Sequence, residues 1–140
     1  MFDFLWSKKK SERAKILVVD DEPNIVQTLQ DRLEMNGYRV VTACNGRDGL
    51  EKAVSEKPEI ILLDVIMPIM DGHEMLEHLR KTEEGKNASV IMLTARSQNQ
   101  DIARATACGI DDYIVKPFDL SELLEKIETI LDSKHAVSRA

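Results

Sequence analysis

Ile60-Ile-Leu-Leu-Asp64 is a run of four large aliphatic residues that ends, without transition, on an acid. Pro58 bars a helix from running into it, and four residues are too few for a buried helix. The run therefore reads as a central strand covered on both faces, since a half-exposed strand would alternate with polar residues. On its N-terminal side, Arg47–Ser55 carries Leu50, Ala53 and Val54 inward as a short helix. On its C-terminal side, a loop with Met67-Pro68 and Asp71-Gly72 leads to a helix with Met75, Leu76 and Leu79 on one side. The same alternation extends both ways. Lys15–Asp20 is a strand bounded by acids. A helix begins near Pro23, carries Ile25, Leu29 and Leu33 at helical spacing, and stops at Gly37. Tyr38–Ala43 is β-branched and strand-like. Beyond the centre come a strand at Ser89–Thr94, a helix at Gln98–Cys108 closed by Gly109, and a strand at Asp112–Val115. A last helix follows Asp119, an N-cap with Glu122 three residues on, and its apolar stripe is Leu120, Leu123, Leu124, Ile127 and Leu131. Five strands alternating with five helices predict an α/β fold, a parallel sheet covered on both faces with right-handed crossovers.

In such sheets ligands bind outside the carboxyl ends of the strands. The residues there are not arbitrary. The first strand ends in Asp20-Asp21, with Glu22 next, the third in Asp64, the fourth in Thr94 and the fifth in Lys116-Pro117. If the strands are parallel neighbours, three carboxylates, a hydroxyl and an ammonium share one rim. Crowded carboxylates repel unless protonated or neutralised by a cation. An all-oxygen site with few protein ligands suits Mg²⁺, which keeps several waters and shares its shell with phosphate. Thr94 and Lys116 can hold phosphoryl oxygens, and a carboxylate beside such a clamp can act as a nucleophile to give an acyl phosphate. Taken singly, Asp20-Asp21 also reads as a helix-capping pair, Thr94 as a strand end and Lys116 as a surface charge. Asp64, directly after an apolar run, has no such ordinary explanation.

Bulk properties narrow the classes. The 140 residues fit one domain that buries roughly two-thirds of its unfolded surface. A net charge of −6 argues against a nucleic-acid partner that needs a basic face. Cys44 and Cys108 lack redox or zinc spacing and read as packed, reduced thiols. No apolar run approaches ~20 residues, and Lys8–Lys10 follow the apolar N-terminus where an export signal would place charge first, so a cytoplasmic location is expected.

Four stretches stand out together: Ile16-Leu-Val-Val-Asp-Asp-Glu-Pro23, Leu62-Leu-Asp-Val-Ile-Met-Pro-Ile-Met-Asp-Gly72, Met92-Leu-Thr-Ala95 and Asp112-Tyr-Ile-Val-Lys-Pro-Phe118. In these the chain resembles the receiver domain of bacterial two-component response regulators, and the resemblance covers residues 15–132. It implies a single-domain flavodoxin-like, doubly wound sheet in the order 2-1-3-4-5. Residues 1–14 then form an N-terminal extension and 133–140 a tail. It further implies that Asp64 is the phosphoacceptor and that Mg²⁺, or Mn²⁺ in its place, binds Asp21, Asp64 and the Ile66 carbonyl, with Asp20 acting mainly through a water. Thr94, the Ala95 backbone N–H and Lys116 would bind the phosphoryl oxygens. Thr94 and Tyr113 would form the switch, Ile66 and Arg96 would tune dephosphorylation, and the Lys116-Pro117 bond would be cis. The implied partners are a histidine kinase or histidine phosphotransfer protein, meeting the exposed face of the first helix at Asn24 and Thr28. A downstream protein would meet the face made by the fourth helix, fifth strand and fifth helix.

Three alternatives compete. A haloacid-dehalogenase-like phosphohydrolase also uses a strand-end Asp with Mg²⁺, but its second acid would fall at Ile66. A phosphorylation-independent interaction module would be expected to lack one of Asp21, Asp64, Thr94 and Lys116. A nucleotide-binding fold would carry a glycine-rich loop where Asp-Asp-Glu-Pro stands. The nine residues after Leu131 are too few for a DNA-binding domain, so a phosphoacceptor switch without turnover of external substrates is expected. Phe2, Phe4 and Trp6, ahead of three lysines, read as a packed or unstructured tail, with weak docking by residues 1–10 to an acidic membrane or a partner groove as the alternative.

Overall fold

The computed structural model describes residues 13–139, with side chains to residue 134. The aromatic and basic segment at residues 1–10, and the docking expected of it, lie outside the described residues. Five strands, β1 (Lys15–Val19), β2 (Arg39–Ala43), β3 (Ile60–Leu63), β4 (Ser89–Thr94) and β5 (Asp112–Val115), alternate with five helices. These are α1 (Pro23–Met35), α2 (Gly46–Glu56), α3 (Gly72–Leu79), α4 (Asn99–Ala107) and α5 (Leu120–Arg139). All pairings are parallel, in the order β2-β1-β3-β4-β5, as the resemblance implies.

Because side chains alternate along a strand, each central strand feeds two cores. Leu17, Val19, Ile61, Leu63, Val90 and Met92 pack with Ala53 of α2, Met75, Leu76 and Leu79 of α3, and Ala105 of α4. Ile16, Val18, Ile60, Leu62, Ile91 and Leu93 pack with Leu29 and Leu33 of α1 and Leu123, Ile127 and Leu131 of α5. All four residues of β3 are buried, which explains the unbroken apolar run, while β2 and β5 at the edges are partly exposed.

Local chemistry sets the helix ends. Pro23 stands at the start of α1. The side chains of Asn45 and Asp71 accept from the backbone N–H of Asp48 and Glu74, both at 2.8 Å, capping α2 and α3. Asp119 accepts from the Ser121 N–H at 2.8 Å before α5. That helix keeps its buried stripe to Leu131 but continues as helix through the residues assigned to a tail. No helix among the described residues is long and apolar enough to cross a membrane.

Candidate functional site: an acidic rim at the strand ends

The site residues stand one step beyond their strands, where the ladders still hold the backbone. Asp20 N–H bonds to the Ala43 carbonyl at 3.1 Å, Asp64 N–H to Val19 at 3.0 Å and Lys116 N–H to Thr94 at 2.8 Å. Val19 is level with Leu63, and Thr94 with Val115. Parallel register thus brings residues up to 96 positions apart to one rim, as expected from the sequence.

Carboxylate oxygens of Asp20, Asp21 and Asp64 lie within 4.8 Å of one another, a spacing that fits a small divalent cation. Asp20 and Asp64 are 3% and 4% exposed, whereas Asp21 faces solvent. Lys116 Nζ lies 2.7 Å from Asp20 Oδ2, 3.2 Å from Asp64 Oδ2 and 3.6 Å from Glu22 Oε1. The second oxygens of the buried acids are also engaged. Asp20 Oδ1 accepts from Glu22 N–H at 2.9 Å, and Asp64 Oδ1 from Ile66 N–H at 3.2 Å. The capping alternative for the acid pair has no support in α1, whose N-cap is Glu22 without a side-chain capping bond.

One ammonium serves two buried carboxylates. Burial pushes Asp20 above its ordinary value, against the opposing hydrogen bonds from Lys116 and Glu22 N–H. For Lys116, burial works against the cation, but the hydrogen bond to Asp20 and the charges of Asp20 and Asp64 outweigh it, and its pKa rises. The cation gains from two anions, while each anion shares half a cation. The donor set is all oxygen, two of the three acids are desolvated, and one positive charge leaves the cluster short of neutrality. Such a cluster fits Mg²⁺.

The neighbouring wall comes from β4. Thr94 is fully buried, and its Oγ1 accepts from Arg96 N–H at 3.3 Å. Ala95 and Arg96 are exposed on the loop beyond it. Tyr113 of β5 is half-buried, and its hydroxyl donates to the Arg96 carbonyl at 2.8 Å. Burial raises the Tyr113 pKa, keeping the phenol a donor. On the other side, the β3–α3 loop carries Ile66 and Ile69, 47% and 75% exposed. Ile69 has φ +71°, a strained conformation for a β-branched residue. The Lys116-Pro117 bond is cis.

Sequence reasoning missed one buried polar pair beside this rim. His73 Nε2 lies 3.2 Å from Asp101 Oδ1, joining the first turn of α3 to α4. Neither residue carries a local signal, because their meeting depends on helix packing. Glu22, in sequence only a flank of the acid pair, reaches toward Lys116.

Comparison with known proteins places the chain in a family. The model of the response regulator receiver domain matches residues 16–128. The alkaline phosphatase synthesis transcriptional regulatory protein PhoP of Bacillus subtilis is 44% identical over 117 residues, which is 84% of this chain and 48% of that protein. The chain spans about half the length of the curated relatives it matches. A CheY-like receiver domain protein of Methanospirillum hungatei superposes with a TM-score of 0.83 at 33% identity, covering 88% of this chain and 97% of that one. A chain of the CheX–CheY–BeF3–Mg²⁺ complex of Borrelia burgdorferi superposes with a TM-score of 0.78 at 29% identity, over 84% and 89%. The family model covers most of the chain and the fold is shared with these receiver domains: the chain belongs to the response regulator receiver domains.

Proposed function

We propose that this chain is a signalling switch whose Asp64 accepts a phosphoryl group from a histidine kinase or histidine phosphotransfer protein. The carrying observation is the Asp64 carboxylate itself, buried at 4% exposure yet within 3.2 Å of a lysine and beside two further acids. Asp20, Asp21 and Asp64, with the Ile66 carbonyl, would hold Mg²⁺, or Mn²⁺ in its place. When bound, the metal supplies positive charge that neutralises the incoming phosphoryl oxygens.

The chain's own residues do the rest. An Asp64 oxygen attacks phosphorus as the donor's N–P bond breaks, and the histidine nitrogen leaves with the electron pair. Lys116 moves its charge from the carboxylate pair to a phosphoryl oxygen, with the Thr94 hydroxyl and Ala95 N–H on the others. Because these groups are supplied by the chain, a small donor such as acetyl phosphate would serve in place of the kinase. A haloacid-dehalogenase-type turnover lacks its general acid, since Ile66 stands at that position.

The output follows from the Thr94 and Tyr113 contacts. Withdrawing the Thr94 hydroxyl from Arg96 N–H toward a phosphoryl group removes one of the bonds that hold the β4–α4 loop. The face of α4, β5 and α5 would then change its affinity for a downstream protein. The kinase would meet α1 at the exposed Asn24 and Thr28, in the cytoplasm. Intact-mass spectra after acetyl phosphate and Mg²⁺ test the acceptor: one labile phosphoryl group on the parent is expected, none with EDTA and none on Asp64→Asn. Equal labelling of Asp64→Asn would refute the assignment. Replacing Asn24 and Thr28 with Arg is expected to slow transfer from a kinase while leaving acetyl-phosphate labelling intact.

A further inference from the structure

A buried carboxylate needs partners. Asp101 is 8% exposed, and its Oδ1 faces two cationic or donor groups from different elements. One is His73 Nε2 at 3.2 Å; the other is Arg96 Nη1 at 3.6 Å. A carboxylate only accepts, so His73 donates through Nε2, and its buried Nδ1 has no hydrogen-bond partner among the described residues. His73 is itself placed with respect to the phosphoacceptor. It follows Gly72, where a Cβ would stand 2.2 Å from the Asp64 carbonyl oxygen, so the start of α3 lies directly against the Asp64 backbone.

The two partners of Asp101 are not equivalent. The His73 contact is enclosed and within hydrogen-bond distance. The Arg96 contact is longer than a hydrogen bond, and its side chain is 51% exposed. It is an ion pair that can be exchanged for a better one. A phosphoryl group on Asp64 would be such a competitor, because guanidinium binds phosphate through paired, charge-assisted hydrogen bonds. The Arg96 backbone is meanwhile held by Thr94 Oγ1 and Tyr113, so the side chain is the part free to change partner.

We propose that Asp101, anchored by His73, is a positioning residue that retains Arg96 away from the phosphoryl group and thereby shortens the phosphorylated state. The inference rests on the phosphoacceptor reading of Asp64. Decay requires a water oxygen to attack phosphorus in line as the P–O bond to Asp64 breaks. The Asp64 carboxylate leaves, inorganic phosphate forms, and the water's proton passes to phosphate or solvent. Arg96 laid across the phosphoryl group obstructs that approach and accepts no proton. Each moment Arg96 spends on Asp101 leaves the approach open.

The test is a two-by-two set: parent, Asp101→Asn, Arg96→Ala and the double variant, each labelled with acetyl phosphate and Mg²⁺, freed of donor, and followed by intact mass. Asp101→Asn is expected to lengthen the half-life about two- to fivefold, the worth of a partly exposed ion pair, with Arg96 present. It should change nothing in the Arg96→Ala background. A purely structural role would move both backgrounds alike and overturn the inference, as would an unchanged or shortened half-life with Arg96 present. A measurement on the unaltered protein keeps the test decisive if Asp101→Asn folds poorly. The Arg96 Nε–Hε resonance, assigned through Arg96→Lys, should shift on saturation with beryllofluoride and Mg²⁺, and an unmoved resonance overturns the exchange of partners. Absence of any label on the parent would overturn the phosphoacceptor reading and this inference with it, whereas label that decays without regard to the pair overturns the inference alone.

Discussion

Replacing Asp20 with Asn is expected to make the metal-free protein more stable, although it removes a 2.7 Å ion pair. At an effective dielectric constant of ~20, the attraction between Asp20 and Lys116 at that distance is about 6 kcal/mol, and the repulsion from a carboxylate ~5 Å away about 3 kcal/mol. Desolvating the buried carboxylate costs several kcal/mol more, and Lys116 is shared with Asp64. These contributions nearly cancel, and the raised pKa of Asp20 gives the sign: burial outweighs the opposing hydrogen bonds, and the ionised form is worse off folded than unfolded. We expect a gain of about 1 kcal/mol at pH 7, or roughly 3 °C in Tm for 140 residues. A group whose folded pKa is raised binds its proton more tightly in the native state, so the parent loses stability as pH rises from the ordinary carboxylate value of about 3.9 through the folded value. The gap between variant and parent should therefore be full at neutral pH and close near about pH 3, where Asp20 is protonated in both states. Mg²⁺ at ten times its dissociation constant adds about 1.4 kcal/mol to the parent and less to the variant, which erases the difference. Urea denaturation in EDTA and in Mg²⁺, across pH, is the assay. If Asp20→Asn is less stable in EDTA at pH 7, the ion pair outweighs its desolvation and the reasoning fails.

Three further outcomes are expected. The pair Ile66→Asn, Arg96→Glu should speed loss of the phosphoryl group about tenfold, ~1.4 kcal/mol of barrier, because an amide and a carboxylate can position the attacking water; decay no faster than the parent's would refute it. Gly72→Ala should cost about 3 kcal/mol or more in urea denaturation, because its Cβ would meet the Asp64 carbonyl oxygen at 2.2 Å and backbone cannot rotate aside. Lys57→Gly should stabilise by about 1 kcal/mol, since the exposed Lys57 ends α2 with φ +49°, and an unchanged midpoint would show that the strain is relieved elsewhere.

The fold was legible because β3 is covered on both faces and cannot hide its character in alternation, and because strand and helix periods switch cleanly around it. The rim was legible for a related reason. An acid at the end of a fully apolar strand has few explanations, and Asp64 is one, while Asp20, Thr94 and Lys116 each directly follow apolar residues. Partnerships were harder. The sequence places Lys116 on the rim but does not say that it leans on Asp20 more closely than on Asp64. The His73–Asp101 contact needed the packing of α3 against α4, because each residue alone reads as an ordinary polar position near a helix start. The strained Ile69 and the continuation of α5 to Arg139 are likewise set by surroundings or by helix propagation, without a local mark in composition.

Lys116 directly follows an edge strand, yet its ammonium ends at Asp20, and between β5 and β1 lie β4 and β3. The side chain is in effect a crossbar over the mouth of the sheet, tying its margin to its middle at a level where the backbone ladders have run out. The edge strand has a ladder on one side only, so this brace contributes to its seating from above. On the proposed function, a charge arriving at Asp64 would do more than occupy a pocket: it would draw on the ammonium that braces the margin of the sheet. In this molecule the site and the edge are two ends of one mechanical member.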